Sequence, residues 1–350
     1  MSHELETFSN GQTAFVSARE DAWHRLGVVV DHTMTATEVL QKAHLAGWNV
    51  RKVPLQTQPM MTYDADGMPS GFLAPMEVPG QFTTVRNHPI TKDVHVLGET
   101  AVGTKYTVIQ NEEHTAMLDA LVDESGAHYE TAGSMRNGTQ VFVTMKLPGH
   151  MMIGGVDRVD LYIAGLNSHD GSTAYRVMAT PVRVVCANTQ AAALKNNHGI
   201  FSIRHTKNAA AAISKARDVL GLTFKYNEEF ESAAEKMIQK TISDMQFEKM
   251  MNQLWEGPDA SSSKVSITKH ANRLDTLKTL YFDSSTNANI RGTAWAAYNT
   301  VTEFTDHFTN VKLNGHSENA SQARATQALT GTATRQLKEK AFDLAMALAS

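Results

Sequence analysis

The sequence predicts an α+β fold in which an antiparallel β-hairpin sheet packs with helices and is followed by a helical C-terminal region. Two runs of alternating residues are each interrupted by a turn dipeptide, at Asn137-Gly138 and at Asp170-Gly171. Beyond residue 226 the apolar residues recur at helical spacing instead. We therefore expect an α+β core over residues 1–225 and a helical region over residues 226–350.

The composition is that of a globular protein. The chain has 350 residues, of which 42% are hydrophobic and 19% are charged, and this balance excludes a disordered chain. No apolar run approaches the ~18 residues that cross a bilayer, and the first six residues are too polar for a signal peptide. The single cysteine, Cys186, fits a reducing compartment. We expect a cytoplasmic protein without a membrane partner.

The N-terminal part predicts one helix and one strand before an irregular stretch. Thr35 or Thr37 is suited to cap a helix that ends near Gly47, and residues 48–53 alternate as a strand does. Residues 59–80 contain four prolines and three glycines, which predicts a turn-rich, irregular loop or an irregular hairpin.

The middle of the chain predicts strands around one helix. Residues 82–109 are β-rich, and a helix begins near Asn111. In the hairpins that follow, one face of each central strand is apolar, with Val141, Val143, Met145 and Leu147 on the first and Val159, Leu161 and Ile163 on the second. Pro181 interrupts the long last strand, so it must lie at a bend, an edge or a bulge.

The remaining segments are assigned from the spacing of their apolar residues. Residues 200–206 predict a strand and residues 207–220 a helix. Four further helices are predicted over residues 227–256, 266–282, 293–309 and 320–349.

The charge is distributed unevenly along the chain. The formal net charge is −4, but residues 1–170 carry 11 basic and 20 acidic side chains, a net of −9. Residues 171–225 carry eight basic side chains and one acidic side chain, Asp218, a net of +7, and residues 226–350 have a net of −2. The basic stretch is therefore the main clue to a partner.

The basic stretch contains the residue types that bind single-stranded nucleic acid. Phosphates need spaced cations, and unpaired bases need flat side chains on which to stack. The candidate phosphate contacts are Arg176, Arg183, Lys195, Arg204 and Lys207, and the candidate stacking residues are Tyr175 and Phe201. Arg176 and Arg183 are seven residues apart, so on a regular strand they face opposite sides unless Pro181 introduces a bulge. The structural alternative is a solvated basic face that balances acidic neighbours.

The second candidate is an acid/base or metal site at the second hairpin. His169 and Asp170, together with Asp160, offer the groups that bind a divalent ion such as Mg²⁺ or perform hydrolysis. Asp170-Gly171 is also an ordinary turn, in which Asp is favoured for its backbone hydrogen bonds. The 15 histidines form no HExxH motif, so the sequence indicates no metal site with defined ligands and no cofactor.

Nucleotide-binding motifs are absent from the sequence. There is neither a GxxxxGK[ST] motif nor a GxGxxG motif after a strand. This absence favours an ATP-independent binding protein over an enzyme.

Six motifs resemble one known family. They are AWHRLG at 22–27, GTKYTVIQN at 103–111, YETAGSMRNGTQVF at 129–142, NSHDGSTA at 167–174, TPVRVVCANT at 180–189 and GTAWAAYNTVTEFTDH at 292–307. In this order they resemble the phage/plasmid-like proteins of domain-of-unknown-function family 932. The resemblance implies a protein carried by phages, prophages or plasmids, in the cytoplasm of a bacterial host, from an uncharacterised family whose polar motifs suggest an enzyme.

The order of elements across residues 128–196 is similar at the level of topology to single-strand annealing proteins of the Erf, RecT and Red-beta type. The similarity implies a DNA-metabolism protein that binds single-stranded DNA and promotes annealing or recombination without nucleotide hydrolysis. We expect a homo-oligomer, with a ring or a filament as the form, because an acidic segment precedes a basic one and suits head-to-tail contact. The alternatives are a metal-dependent enzyme such as a nuclease and a host-interaction or counter-defence protein.

Overall fold

The computed structural model describes residues 5–18, 27–98, 100–122, 126–183, 188–189, 200–205, 228–258, 262–309 and 332–350. Its antiparallel sheets and helical C-terminal region confirm the predicted α+β class. No helix within these ranges is both long enough and apolar enough to cross a membrane.

The strands are β1 (Phe15–Ser17), β2 (Val28–Val29), β3 (Arg51–Gln56), β4 (Met60–Tyr63), β5 (Pro69–Leu73), β6 (Glu77–Asn87), β7 (Val94–Val96), β8 (Val102–Gly103), β9 (His128–Met135), β10 (Gln140–Ile153), β11 (Asp157–Ser168), β12 (Tyr175–Arg183), β13 (Asn188–Thr189) and β14 (Ile200–Ile203). The helices are α1 (Ala36–Lys42), α2 (Asn111–Val122), α3 (228–239), α4 (Asp244–Leu254), α5 (Lys264–Phe282), α6 (Ala294–Glu303) and α7 (Thr332–Ala349).

The large sheet has the strand order β13-β12-β11-β10-β9-β1-β2, and β14 also pairs with β12. Both predicted hairpins are confirmed, because β9 pairs with β10 and β11 pairs with β12 in antiparallel ladders. The predicted apolar faces of β10 and β11 are confirmed as well, since all seven of their residues are buried in one core. The ladder between β10 and β11 runs from Gln140↔Ser168 to Ile153↔Asp157.

Pro181 causes no bulge in β12. The pairing from Val159↔Arg183 to Leu166↔Arg176 is continuous, with Pro181 opposite Leu161. On its other side β12 pairs with β14 and β13 at residues 175–178 and 182–183, so Pro181 occupies the interval between these two ladders. Within the described residues no strand pairs with residue 181 on that side, and an unpaired edge position tolerates a proline. Positions 176 and 183 therefore lie on opposite faces of the strand.

Within residues 59–80, β4 and β5 form a hairpin, which is one of the two forms predicted for this stretch. β4 and β5 pair in register from Met60↔Leu73 to Tyr63↔Pro69. Asp64 Oδ1 accepts hydrogen bonds from the backbone N–H groups of Asp66 and Met68 and closes the turn. The prolines are compatible with pairing because Pro69 is the first residue of its strand.

The helical region begins with a break that the sequence pattern did not indicate. The predicted helix over residues 227–256 is divided into α3 and α4, and Ser243 forms a capping box with Gln246 at the start of α4. Ile242 N donates to Gly292 O, and Ala294 N donates to Lys240 O. These bonds replace helical ones with contacts to the start of α6, which explains the break.

The C-terminal helices share the core of the sheet. Trp295 on α6 donates its indole N–H to Asp157 Oδ2 on β11 over 2.8 Å, and both side chains are fully buried. Phe230 on α3 packs edge-on against the same indole and stacks on Phe342 of α7. The predicted boundary between residues 225 and 226 lies outside the described residues.

We predict that Gly165→Ala destabilises the fold by about 1–3 kcal/mol. A Cβ at Gly165 on β11 would overlap Nε2 of the buried His114 ring of α2. Chemical denaturation measures the change in unfolding free energy. Gly149→Ala on β10 is the matched control, because a Cβ there meets no atom within 4 Å. Equal costs at both positions would contradict the steric account.

Candidate nucleic-acid interface

Two hairpin turns lie side by side at one end of the large sheet. The β9–β10 turn and the β11–β12 turn are joined by a hydrogen bond from His169 N to Thr139 O over 2.8 Å. Arg136 and Asn137 in the first turn have φ values of 52° and 54°. Three of the sequence motifs, at residues 103–111, 129–142 and 167–174, contribute to this end of the sheet. We call the two turns and the side chains packed on them the turn cluster.

Asp170 closes the second turn. Its Oδ1 accepts hydrogen bonds from Ser168 Oγ over 2.6 Å and from Ser172 N over 3.0 Å. Ser168 Oγ in turn accepts from Thr173 N. This arrangement is that of a turn-forming aspartate, which accounts for the residue without a bound ion.

His169 is held inside the turn cluster. Its side chain is fully buried, its Nε2 lies 2.9 Å from Asn111 Oδ1, and its ring packs beside that of Trp48. Burial, reinforced by nearby His205, His114 and Arg86, lowers the pKa of His169 to about 3. The imidazole is therefore neutral at physiological pH and has no route to solvent for a hydrolytic reaction.

Asp160 lies far from the other two members of the predicted acid/base site. It is eight residues before Ser168 on β11, which places it about 26 Å away along the strand. Its carboxylate is paired with Lys146 Nζ at 2.6 Å and with Arg158 Nε at 3.0 Å. Burial opposes ionisation, but the hydrogen bonds from these two cations outweigh it and keep the pKa of Asp160 below its usual range. The structure thus does not bring His169, Asp170 and Asp160 together.

The described part of the chain holds no group of three or more His, Cys, Asp or Glu side chains arranged to bind a metal ion.

Tyr175 is a core residue, which corrects its predicted stacking role. Its ring is fully buried and packs edge-on against His114 at 5.1 Å between ring centres. Burial raises the pKa of its hydroxyl. A side chain without solvent contact offers no surface to an unpaired base.

The candidate cations are only partly described. Arg176 on β12 is half-buried and Arg204, just after β14, is exposed. Arg183 is the last residue of β12 and Phe201 lies within β14, opposite Val177. Lys195 and Lys207 lie outside the described residues.

A small pocket lies beside Arg176 at the edge of the turn cluster. Its volume is about 210 Å³, and its lining residues are Met135, Gln140, Val141, Leu166, Asn167, Thr173 and Arg176. Gln140 and Asn167 are more than nine-tenths buried, and within the described chain neither Gln140 Oε1 nor Asn167 Oδ1 has a hydrogen-bond partner. A buried carbonyl oxygen without a donor is costly, so these two acceptors indicate a ligand or water with N–H or O–H groups.

A buried ion pair packs against the first hairpin turn, close to the pocket. The sequence patterns did not identify this pair. Arg86 on β6 pairs with Glu6, and Ser134 Oγ donates to the other oxygen of Glu6 over 2.7 Å. The guanidinium stacks on Trp48 at 3.9 Å and contacts the backbone at Gly138, where no Cβ could fit. The only sequence signal was one arginine in the otherwise uncharged stretch from Val78 to Asn87.

The turn cluster also contains two other buried histidines. His114 is fully buried on α2, and burial lowers its pKa to about 3. Neither its ring nitrogens nor those of His205 have a hydrogen-bond partner in the described ranges. His205 stacks on Tyr106 at 5.0 Å, and burial lowers its pKa as well.

Comparison with known proteins identifies one family. A family model described as "Domain of unknown function (DUF932)" matches residues 100–330. No curated protein and no solved structure matches the chain significantly.

We predict that acid weakens the fold through His114 and His169. Their pKa values are about 3 when folded and ordinarily 6.5, so the unfolded chain binds more protons below pH 6.5. The stability they contribute is complete above pH 6.5 and is lost as the pH falls toward 3. Between pH 7 and pH 5 each histidine should cost about 2 kcal/mol.

Urea denaturation of wild type and His114→Phe at both pH values measures this loss. The variant should lose about 2 kcal/mol less than wild type between pH 7 and pH 5, whatever its stability at pH 7. An unchanged pH dependence would show that the His114 ring is protonated in the folded state.

Proposed function

The chain belongs to the DUF932 family, and from that membership and the geometry of the turn cluster we propose that it is a single-stranded DNA-binding protein of phage or plasmid DNA metabolism. It promotes annealing or recombination in the bacterial host cytoplasm and hydrolyses no nucleotide. The pocket beside Arg176 carries this proposal.

The pocket suits one unpaired base with its phosphate. A cavity of about 210 Å³ admits a single flat ring and excludes a duplex. The oxygens of Gln140 and Asn167 accept hydrogen bonds, which matches the amino and imino groups on the Watson–Crick edge of a base. Arg176 provides the cation for the adjoining phosphate.

The charge of the surrounding sequence supports a polyanionic partner. Arg176 begins the run of eight basic side chains between residues 171 and 225, in which Asp218 is the single acidic residue. Long-range attraction of this kind increases the rate of association with nucleic acid. Arg204, which is exposed after β14, extends the cationic surface from β12 to the paired strand.

The acceptors in the pocket also imply a base preference. Adenine, cytosine and guanine carry an exocyclic amino group, whereas thymine offers one N–H donor on its pairing edge. Two carbonyl oxygens without donors should therefore favour bases that carry amino groups over thymine.

We predict that Arg176→Ala lowers affinity for labelled single-stranded oligonucleotides by about tenfold and reduces the salt slope by about one. Fluorescence anisotropy at several salt concentrations, with Mg²⁺ or EDTA, measures both quantities. Arg158→Ala is the matched control, because Arg158 is a half-exposed arginine on the neighbouring strand and lies away from the pocket. Equal losses of affinity in both variants would show that binding depends on non-specific charge attraction and does not use the pocket.

We predict that Gln140→Leu separates binding from stability. Removing a buried acceptor that lacks a protein donor should leave the unfolding free energy unchanged or raise it, yet it should weaken binding. Wild type should bind oligo(dA) and oligo(dC) more tightly than oligo(dT), and the variant should lose that difference.

The same experiment distinguishes the alternatives. Strand pairing in EDTA supports annealing, whereas Mg²⁺-dependent cleavage would support a nuclease. Tighter binding of single-stranded RNA than of DNA would redirect the proposal to RNA. Absence of any binding would refute it and leave the host-interaction hypothesis.

A further inference from the structure

The hairpin formed by β4 and β5 projects from the protein with its apolar side chains in solvent. We call residues 57–80 the arm. Eight large apolar side chains in the arm are between 37% and 75% exposed, namely Met60, Met61, Tyr63, Met68, Phe72, Leu73, Met76 and Val78. In the described chain, β4 and β5 pair only with each other, so each also has an open edge.

Such a hairpin is not stable by itself in water. An isolated two-stranded ribbon needs a third strand or an apolar cover. Eight large apolar side chains with these exposed fractions form an apolar surface of the order of several hundred Å². That area approaches the ~800 Å² that each partner buries in a stable protein interface. Monomeric proteins rarely leave so large a patch uncovered.

The charges of the arm exclude a phosphate-rich cover. Residues 53–85 contain no lysine, arginine or histidine, whereas the arm carries Asp64, Asp66 and Glu77. Nucleic acid and anionic membranes would be repelled. A complementary cover would be a protein surface that is apolar along its length and cationic where it meets the tip of the arm.

This chain has such a surface at the base of its own arm. Lys105 is exposed there, and Lys52 Nζ donates to Thr104 O beside it and lies over the ring of Phe82. Asp64 is seven residues after Thr57, the first residue of the arm, so the acidic tip lies about 23 Å from the base along the extended chain. Two arms laid antiparallel would bring each acidic tip to the cationic base of its partner.

We propose that the arm binds the same arm of a second copy and forms a closed two-fold dimer. The two ribbons pair through their open edges into one four-stranded sheet, in which the apolar side chains on each face of one ribbon lie beside those of the other. A two-fold axis makes the contact self-complementary, because each tip meets the other base. The proposal refines the expected homo-oligomer to a dimer and is independent of the DNA-binding site.

Light scattering after size-exclusion chromatography tests the dimer. The wild-type chain should have twice its 38.4 kDa mass. Met61→Asp combined with Phe72→Asp changes a cross-strand pair of the arm, and it should weaken the dimer about a hundredfold or more. Because both residues are exposed, the circular dichroism signal of the helices should remain, which shows that the rest of the protein is folded. Met245→Asp on α4, where Met245 is 80% exposed, is the matched control and should remain dimeric.

Charge exchange tests the antiparallel arrangement. Asp64→Lys with Asp66→Lys should weaken the dimer, and so should Lys105→Glu. Mixing the two variants should restore dimers, since every tip then meets a base of opposite charge.

Three outcomes would overturn the proposal. They are a monomer at all concentrations, a ring or filament whose mass exceeds a dimer, and a dimer that the arm variants leave intact.

Discussion

The ladder between β10 and β11 is the interaction on which the rest of the structure depends. One end of it sets the two hairpin turns beside each other, through Gln140↔Ser168 and the bond from His169 N to Thr139 O. The other end places Asp157, whose carboxylate accepts the indole N–H of Trp295 and fixes the helical region. A shift of one residue would exchange the apolar and polar faces of both strands, so register is held by the core as well as by hydrogen bonds.

Local patterns predicted the hairpins because alternation and turn dipeptides act over a few residues. Tyr175 and Arg176 show the limit of such patterns. Adjacent residues on a strand face opposite sides, and only the ladder with β11 decides that Tyr175 enters the core while Arg176 reaches the pocket. The pairing of Arg86 with Glu6 joins residues 80 positions apart, so no local pattern could indicate it. The arm lacked a recognisable period because solvent surrounds both of its faces.

The polar residues around His169 serve either to form the turn or to bind a ligand. Their hydrogen-bond partners and their burial distinguish the two roles. The Asp170 carboxylate and the Ser168 hydroxyl satisfy one another, so they stabilise the turn. The Gln140 and Asn167 oxygens remain without donors among the described residues, although each costs about 1–3 kcal/mol in that state. Unsatisfied polar groups at the edge of a pocket are typical of functional sites, where groups that bind a ligand lower the stability of the unliganded protein.

One strand connects the arm to the turn cluster. β6 leaves the base of the arm at Glu77 and ends near Arg86, whose guanidinium lies against Gly138 in the first turn. Arg86 is fixed by Glu6 and Trp48, so the inner end of β6 is rigid while its outer end bears the exposed ribbon. The proposed dimer contact and the proposed binding pocket therefore lie at separate places along the chain, and variants of one can leave the other unchanged.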